Sequence, residues 1–151
     1  MKSPFTGGEV VLKSEIRKAK FRGKEYEYTS EFYECVDTKA MFTTTEMDEV
    51  NIGQIYNQYR VENRIPFPDE IRKLRESCGI SARLMSKLLG FGENQYRLYE
   101  KGEIPNISNG RLLRCLIENP HAIMSFAQSA RNELGERNYD KILKFIEEFA
   151  L

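Results

Sequence analysis

Residues able to carry out covalent or proton-transfer chemistry are few in this 151-residue chain, and they are scattered. The single histidine, His121, stands beside Pro120 at an expected helix start, with no cysteine or serine at a recognisable motif spacing to form a nucleophile and base. Cys35, Cys78 and Cys115 are odd in number and far apart, which fits reduced, individually packed thiols rather than a disulfide framework. No phosphate or dinucleotide fingerprint occurs, and the glycine-rich candidate Gly90-Phe91-Gly92 reads as a turn between helices. Catalysis is not expected and no cofactor is implied. What remains is recognition, by side chains that donate and accept hydrogen bonds or carry charge.

The charge says where. With 23 Lys and Arg against 23 Asp and Glu, no whole-chain excess points to nucleic acid or an anionic surface, so any electrostatic footprint is local. Residues 1–65 carry 10 basic and 11 acidic side chains, whereas residues 71–115 carry 9 basic against 4 acidic. Asp69 and Glu70 lie just before that basic block, and residues 116–151 are acidic again, with 4 basic and 6 acidic. No stretch approaches the roughly 18 apolar residues of a membrane span, and the opening MKSPFTGGEVVLKSE lacks the apolar run of a secretory signal. A soluble, cytoplasmic protein without a membrane partner is expected.

The length suits one domain or two small ones, and the periodicity separates two regions. Residues 9–45 repeat with a period near two, most clearly in Lys24-Glu25-Tyr26-Glu27-Tyr28-Thr29, and Val10-Val11-Leu12 and Met41-Phe42-Thr43-Thr44-Thr45 add strand formers. A small antiparallel sheet follows, with Phe21-Arg22-Gly23-Lys24 as the turn between its longer strands because Gly23 tolerates a tight reversal. Tyr26, Tyr28, Phe32, Tyr33 and Phe42 are its available core. From Glu46 to about Asn63 the spacing of Met47, Val50, Ile55, Tyr56 and Tyr59 becomes helical. Ile65-Pro66-Phe67-Pro68 then ends that helix and marks the domain boundary.

Beyond the boundary the chain reads as helices throughout. Asp69 is a plausible N-cap for a helix ending at Cys78-Gly79, Ser81 for one ending at Leu89-Gly90, and a third lies between Gly92 and Gly102. A fourth runs from about Ser108 to Glu118. Two more, Pro120 to Glu133 and Tyr139 to Ala150, carry stripes at Ile123, Phe126, Ala127, Ala130, Leu134 and at Ile142, Leu143, Ile146, Phe149. Those stripes read first as core and second as a dimer contact.

Two short helices joined by a tight glycine turn have the shape of a helix-turn-helix, with Leu84, Met85, Leu88, Leu89, Tyr96 and Tyr99 as its shared core. The helical frame, the Gly90 turn and the closing Tyr99-Glu100-Lys101-Gly102 resemble the Cro/cI (XRE) repressor family over roughly residues 69–118. The resemblance implies that the helix within residues 92–101 enters the major groove. With Tyr96 and Tyr99 inward, Glu93, Asn94, Gln95 and Leu98 become the base-edge candidates. Asn and Gln amides pair with adenine N6 and N7, and a leucine meets only a thymine methyl. Asn94 could instead cap its helix and Gln95 could point to solvent. The family places phosphate contacts at Ser81, Arg83, Lys101 and Ser108, with Lys87 weaker; Ala82 stands where a phosphate-binding Gln is common. Arg97 has two readings, phosphate contact or an ion pair with Glu93. The same resemblance implies a largely buried structural pair between Arg75 and Glu100.

A second resemblance covers nearly all of the chain to about residue 118. The opening Met-Lys-x-Pro, a small sheet, a connecting helix and Gly-x-Asn before Tyr-Glu-Lys-Gly are similar to the MqsA (YgiT) type antitoxins. In that family two Cys-x-x-Cys pairs hold zinc in an N-terminal domain that also binds the toxin. Here those positions read Ser3-Pro4-Phe5-Thr6 and Cys35-Val36-Asp37-Thr38, one thiol where a closed site needs four N/S ligands, so no metal is expected. Neither Asp37 nor His121 restores the set. Leu98 stands where the family's base-reading arginine would be, with Arg97 one place earlier.

The expected architecture is thus α+β. A degenerate zinc-knuckle sheet with its connecting helix occupies residues 1–65, an all-α five-helix repressor-type helix-turn-helix domain residues 66–118, and two extra helices residues 119–151. The expected function is sequence-specific DNA binding by a homodimeric, autoregulating repressor or antitoxin on a palindromic operator of double-stranded DNA, with a cognate toxin as a possible protein partner. The alternative is a protein-interaction module whose N-terminal sheet does the binding and whose DNA affinity is weak and non-specific.

Overall fold

A computed structural model describes residues 1–148 of the chain. They form two units, Met1–Tyr59 and the described residues from Arg60 on. An N-terminal three-stranded antiparallel sheet is followed by a bundle of helices.

In the first unit the period-two segments become β1 (Val10–Phe21) and β2 (Lys24–Cys35), paired in register from Val10 opposite Cys35 to Phe21 opposite Lys24. The turn between them has positive φ at both central residues, 50° at Arg22 and 82° at Gly23, the backbone that matches the right-handed twist of a hairpin. A short β3 (Met41–Phe42) pairs with β2 at Tyr33 and Glu34, giving the order β1-β2-β3. Tyr26 and Phe32 are buried as expected, while Tyr28, Tyr33 and Phe42 are half-buried.

The helix α1 (Thr45–Asn63) meets the sheet through amides as well as apolar groups. Asn51 accepts the Glu31 N–H at 3.0 Å and donates to its carbonyl at 3.1 Å; Gln54 does the same at Thr29, at 2.9 and 2.8 Å. Gln58 donates to the Glu27 carbonyl at 2.7 Å. Glu27, Thr29 and Glu31 are alternate residues of one strand, those whose backbone groups turn away from β1. Val50, expected on the buried stripe of α1, is instead 58% exposed. The strand β2 offers the helix a polar backbone edge, so Asn51 takes the inward place. Ile55 and Tyr59 are buried as their spacing implies, and Phe21 packs on Tyr56 and Tyr59 with ring centroids 5.1 Å apart in both cases.

The second unit contains α2 (Pro68–Cys78), α3 (Ala82–Leu89), α4 (Gln95–Glu100), α5 (Ile107–Glu118), a 3-10 turn at Pro120–Ala122, α6 (Ile123–Ser129), α7 (Arg131–Leu134) and α8 (Glu136–Glu148). Its core joins Ile71, Leu74, Met85, Leu88, Tyr96, Leu113, Leu116, Ile123 and Ile142, with Ala127, Ala130, Leu134 and Ile146 in the same cluster. The C-terminal stripes therefore serve as core.

Several expected boundaries are corrected. Phe67, not Asp69, is the N-cap of α2, because Pro68 suits the first helical position and the Glu70 carboxylate accepts the Phe67 N–H at 3.1 Å. Asn106, whose side chain accepts the Asn109 N–H at 2.7 Å, starts α5 one residue earlier than expected and leaves Ser108 inside it. The segment expected as one helix from Pro120 to Glu133 is interrupted at Ala130, where φ and ψ are −100° and 10°. Neither Gly nor Pro stands there, and Ala130 and Leu134 are both turned into the core. The last helix starts at Glu136, after Gly135, rather than at Tyr139. Phe149 and Ala150, expected in that helix, lie outside the described residues.

Candidate nucleic-acid interface

The pair α3 and α4 is built around a turn that the sequence marks with glycine. Ser81 caps α3 by accepting the Leu84 N–H at 3.2 Å, and Gly90 ends it at φ 75°, a conformation that costs other residues about 1 kcal/mol or more. Met85, Leu88 and Leu89 are buried and Leu84 is half-buried. Tyr96 anchors α4 at both ends of its side: its N–H donates to the buried Ser86 hydroxyl at 3.0 Å, and its hydroxyl donates to the Ile71 carbonyl at 2.5 Å. Burial pushes the Tyr96 phenol far up, so it stays a neutral donor. Tyr99 is buried too and accepts from the Asn109 amide at 2.9 Å.

With Tyr96, Tyr99 and Glu100 buried, the rest of α4 lies toward solvent, Gln95 only in part. Asn94 sits at the N-cap position but makes no capping hydrogen bond with its side chain, so its amide is presented to solvent. Leu98 and Arg97 are exposed on the same helix, and Lys101 follows it. Gln95 is half-buried, and its amide donates to Glu103 at 3.3 Å. Glu93 pairs with Arg83 at 2.6 Å and not with Arg97, which answers the ion-pair reading of Arg97. Arg97, Lys87 and Lys101 carry no ion-pair partner among the described residues. Ser108 is exposed in the first turn of α5, after the loop that leaves α4.

Arg75 and Glu100 fix the framework beneath this face. The guanidinium grips the carboxylate through two bonds of 2.8 Å, and Glu100 is only 7% exposed. Hydrogen bonding to Glu100 raises the Arg75 pKa further above its ordinary value. Arg72, a partner not anticipated, lies 3.5 Å from the same carboxylate.

Ser3, Thr6, Cys35 and Thr38, the positions at which the resemblance implies metal ligands, come together in the first unit. Residues 3–8 and 35–40 form two turns of one pattern. Ser3 N–H donates to Gly8 O and Gly7 N–H to Ser3 O, at 2.9 and 2.8 Å; Cys35 N–H donates to Ala40 O and Lys39 N–H to Cys35 O, at the same two distances. Gly7 and Lys39 both have positive φ, 74° and 64°. The donor set, however, is three hydroxyls and one thiol, which does not suit zinc. Among the described residues no three of His, Cys, Asp and Glu are grouped to hold a metal. Thr6 instead donates to Asp37 at 2.7 Å and lies 3.7 Å from the Cys35 sulfur. Hydroxyl contacts from Ser3 and Thr38 bring the Cys35 thiol down to about 6, whereas burial alone pushes Cys78 up to about 12. All three cysteines are free; Cys35 and Cys78 are buried, and Cys115, expected to be packed, is exposed.

Sequence reasoning missed the amides of α1 and the Ser86 hydroxyl. The spacing of Asn51, Gln54 and Gln58, one helical turn apart, was the available signal for the first. Among the described residues no helix is long and apolar enough to cross a membrane. No protein-family model matches the chain, and no curated protein matches it in sequence.

Proposed function

We propose that this protein is a sequence-specific DNA-binding regulator whose second unit is a repressor-type, five-helix helix-turn-helix domain and whose α4 enters the major groove. The observation that carries the reading is the division of α4 into two sides: Tyr96 and Tyr99 are locked inward while Asn94, Arg97 and Leu98 stand exposed. A reading helix needs its base-edge side chains held in place by a rigid scaffold, and the Arg75–Glu100 pair and the Ser86 hydroxyl provide one. Asn94 reads adenine, Leu98 meets a thymine methyl, and Arg97, Lys101, Lys87 and Ser108 contact phosphates. Gln95 and Glu93 are secondary readers, since engaging a base requires them to leave Glu103 and Arg83.

In this reading the protein acts as a homodimer on a palindrome whose half-sites lie about one helical turn, or a multiple, apart. Autoregulation as the antitoxin of a toxin pair is the biological role that the resemblance to the MqsA type supports. The ties from Gln95 to Glu103 and from Arg83 to Glu93 favour a second reading, a scaffold that binds DNA weakly and works through protein partners. Fluorescence anisotropy with the duplex upstream of the gene and a scrambled duplex separates them. A preference of about 10³ or more for the upstream duplex supports the regulator, and equal, salt-sensitive binding to both supports the scaffold.

A further inference from the structure

The sheet of the first unit treats its two long edges differently. The outer edge of β2 is closed by β3 and by the Asn51, Gln54 and Gln58 amides. The outer edge of β1 is open. Because Ile16 lies opposite Thr29, and Thr29 turns its N–H and C=O to Gln54, Ile16 must turn its own away from β2. The same holds for Ser14 opposite Glu31 and Lys18 opposite Glu27. Among the described residues these outward groups meet no other segment. A twelve-residue edge of roughly 40 Å is a ready template for another strand, and proteins usually guard such an edge with lysines, prolines or bulges. Here the strand is unbroken and contains no proline. Two of its three lysines are drawn sideways, Lys13 to Glu34 and Lys18 to Glu25 and Glu27, while Leu12 and Ile16 are left 61% and 73% exposed.

We propose that the open edge of β1 pairs antiparallel with the same edge of a second copy of this chain, with Ile16 on the two-fold axis. Charge selects the occupant and the register. With Ile16 facing Ile16 of the copy, Glu15 lies opposite Arg17 on both sides of the axis. Lys13 then lies opposite Ala19, Lys18 opposite Ser14, Lys20 opposite Leu12 and Val11 opposite Phe21, so no like charges meet. Centring on Glu15 sets Glu15 against itself and Lys13 against Arg17, and centring on Arg17 sets Arg17 against itself. Centring on Ser14 avoids such clashes but pairs only Val10 to Lys18, against Val11 to Phe21. Ile16 also has its backbone groups facing outward, as a hydrogen-bonded pair on the axis requires. The product is a continuous six-stranded sheet joining two copies of the order β1-β2-β3. The proposal involves only the first unit and stands whether or not the second binds DNA.

The test is sedimentation equilibrium of the full chain without DNA. The wild type is expected to dimerise, and Arg17→Glu, which sets Glu against Glu at two symmetric places, to weaken the dimer about tenfold or more. The swap Glu15→Arg/Arg17→Glu restores it. Ile16→Pro removes an N–H that the chain's own ladder does not use, so the monomer stays folded by circular dichroism while the dimer is lost. A monomeric wild type overturns the proposal, as does a dimer that Ile16→Pro leaves intact, which would place self-association elsewhere.

Discussion

The guanidinium of Arg75 holds the carboxylate of Glu100 through two parallel hydrogen bonds of 2.8 Å, Nε to Oε2 and Nη2 to Oε1, while its Nη1 donates to the Ile80 carbonyl at 3.3 Å. One side chain thus ties α2, the approach to α3 and the end of α4. Glu100→Ala leaves Arg75 with its main partner gone, and removing one member of such a pair costs about 3 to 5 kcal/mol. Arg75 keeps 22% of its side chain exposed, so about 3 kcal/mol, the lower end, is expected. Urea unfolding followed by circular dichroism measures it, and an unchanged midpoint would show that the pair does not support the domain.

Asn51 is a buried amide with both of its functions in use, whereas Gln54 makes the same two bonds at a more exposed place. Asn51→Ala is therefore expected to destabilise the first unit by about 2 kcal/mol and Gln54→Ala by about 1 kcal/mol or less. Amide hydrogen exchange gives a local check: Gln54→Ala should deprotect the Thr29 N–H while leaving that of Ser30, which faces β1, protected. Equal exchange at Thr29 in wild type and variant would remove the amide ladder as the guard of that edge.

These amides mark the limit of what the sequence makes legible. The hairpin, its Arg22-Gly23 turn and the inward positions of α3 and α4 follow from local chemistry: alternation, glycine, and apolar residues at helical spacing. Asn51 takes the inward place expected of Val50 because the partner of α1 is a strand edge, and nothing in the residues near Asn51 tells of Glu31 twenty positions earlier. In the same way Glu93 had Arg97 at the spacing of a helical pair, yet its partner is Arg83 across the turn. The break at Ala130 has no sequence mark either, since alanine favours helix and only burial on both sides of the break accompanies it.

Cys35 carries a pH dependence whose sign follows from its neighbours. Hydrogen bonds from Ser3 and Thr38 favour the thiolate and set the folded pKa at about 6, below the ordinary thiol value of 9.0. A group whose pKa is depressed by folding adds stability above its unfolded value and loses that contribution as pH falls through the folded one. Stability should therefore rise with pH between about 6 and 9.0, and Ser3→Ala should flatten the rise. The Cys35 Cβ chemical shift, followed by NMR across that range, reports the titration directly. Superimposable curves for wild type and Ser3→Ala would mean that the hydroxyl is not the cause.

In the proposed function the outward side of α4 reads DNA, and Asn94 is the residue to probe because its amide makes no capping bond whose loss would disturb the helix. Fluorescence anisotropy should compare wild type with Asn94→Ala and with Asn94→Ala/Gln95→Ala on the upstream and scrambled duplexes at two salt concentrations. Loss of one bidentate contact to adenine is expected to cost about 1 to 3 kcal/mol on the upstream duplex alone, with melting temperature unchanged. Wild-type binding that is equal on both duplexes, falls away with salt and is untouched by either variant would contradict the claim.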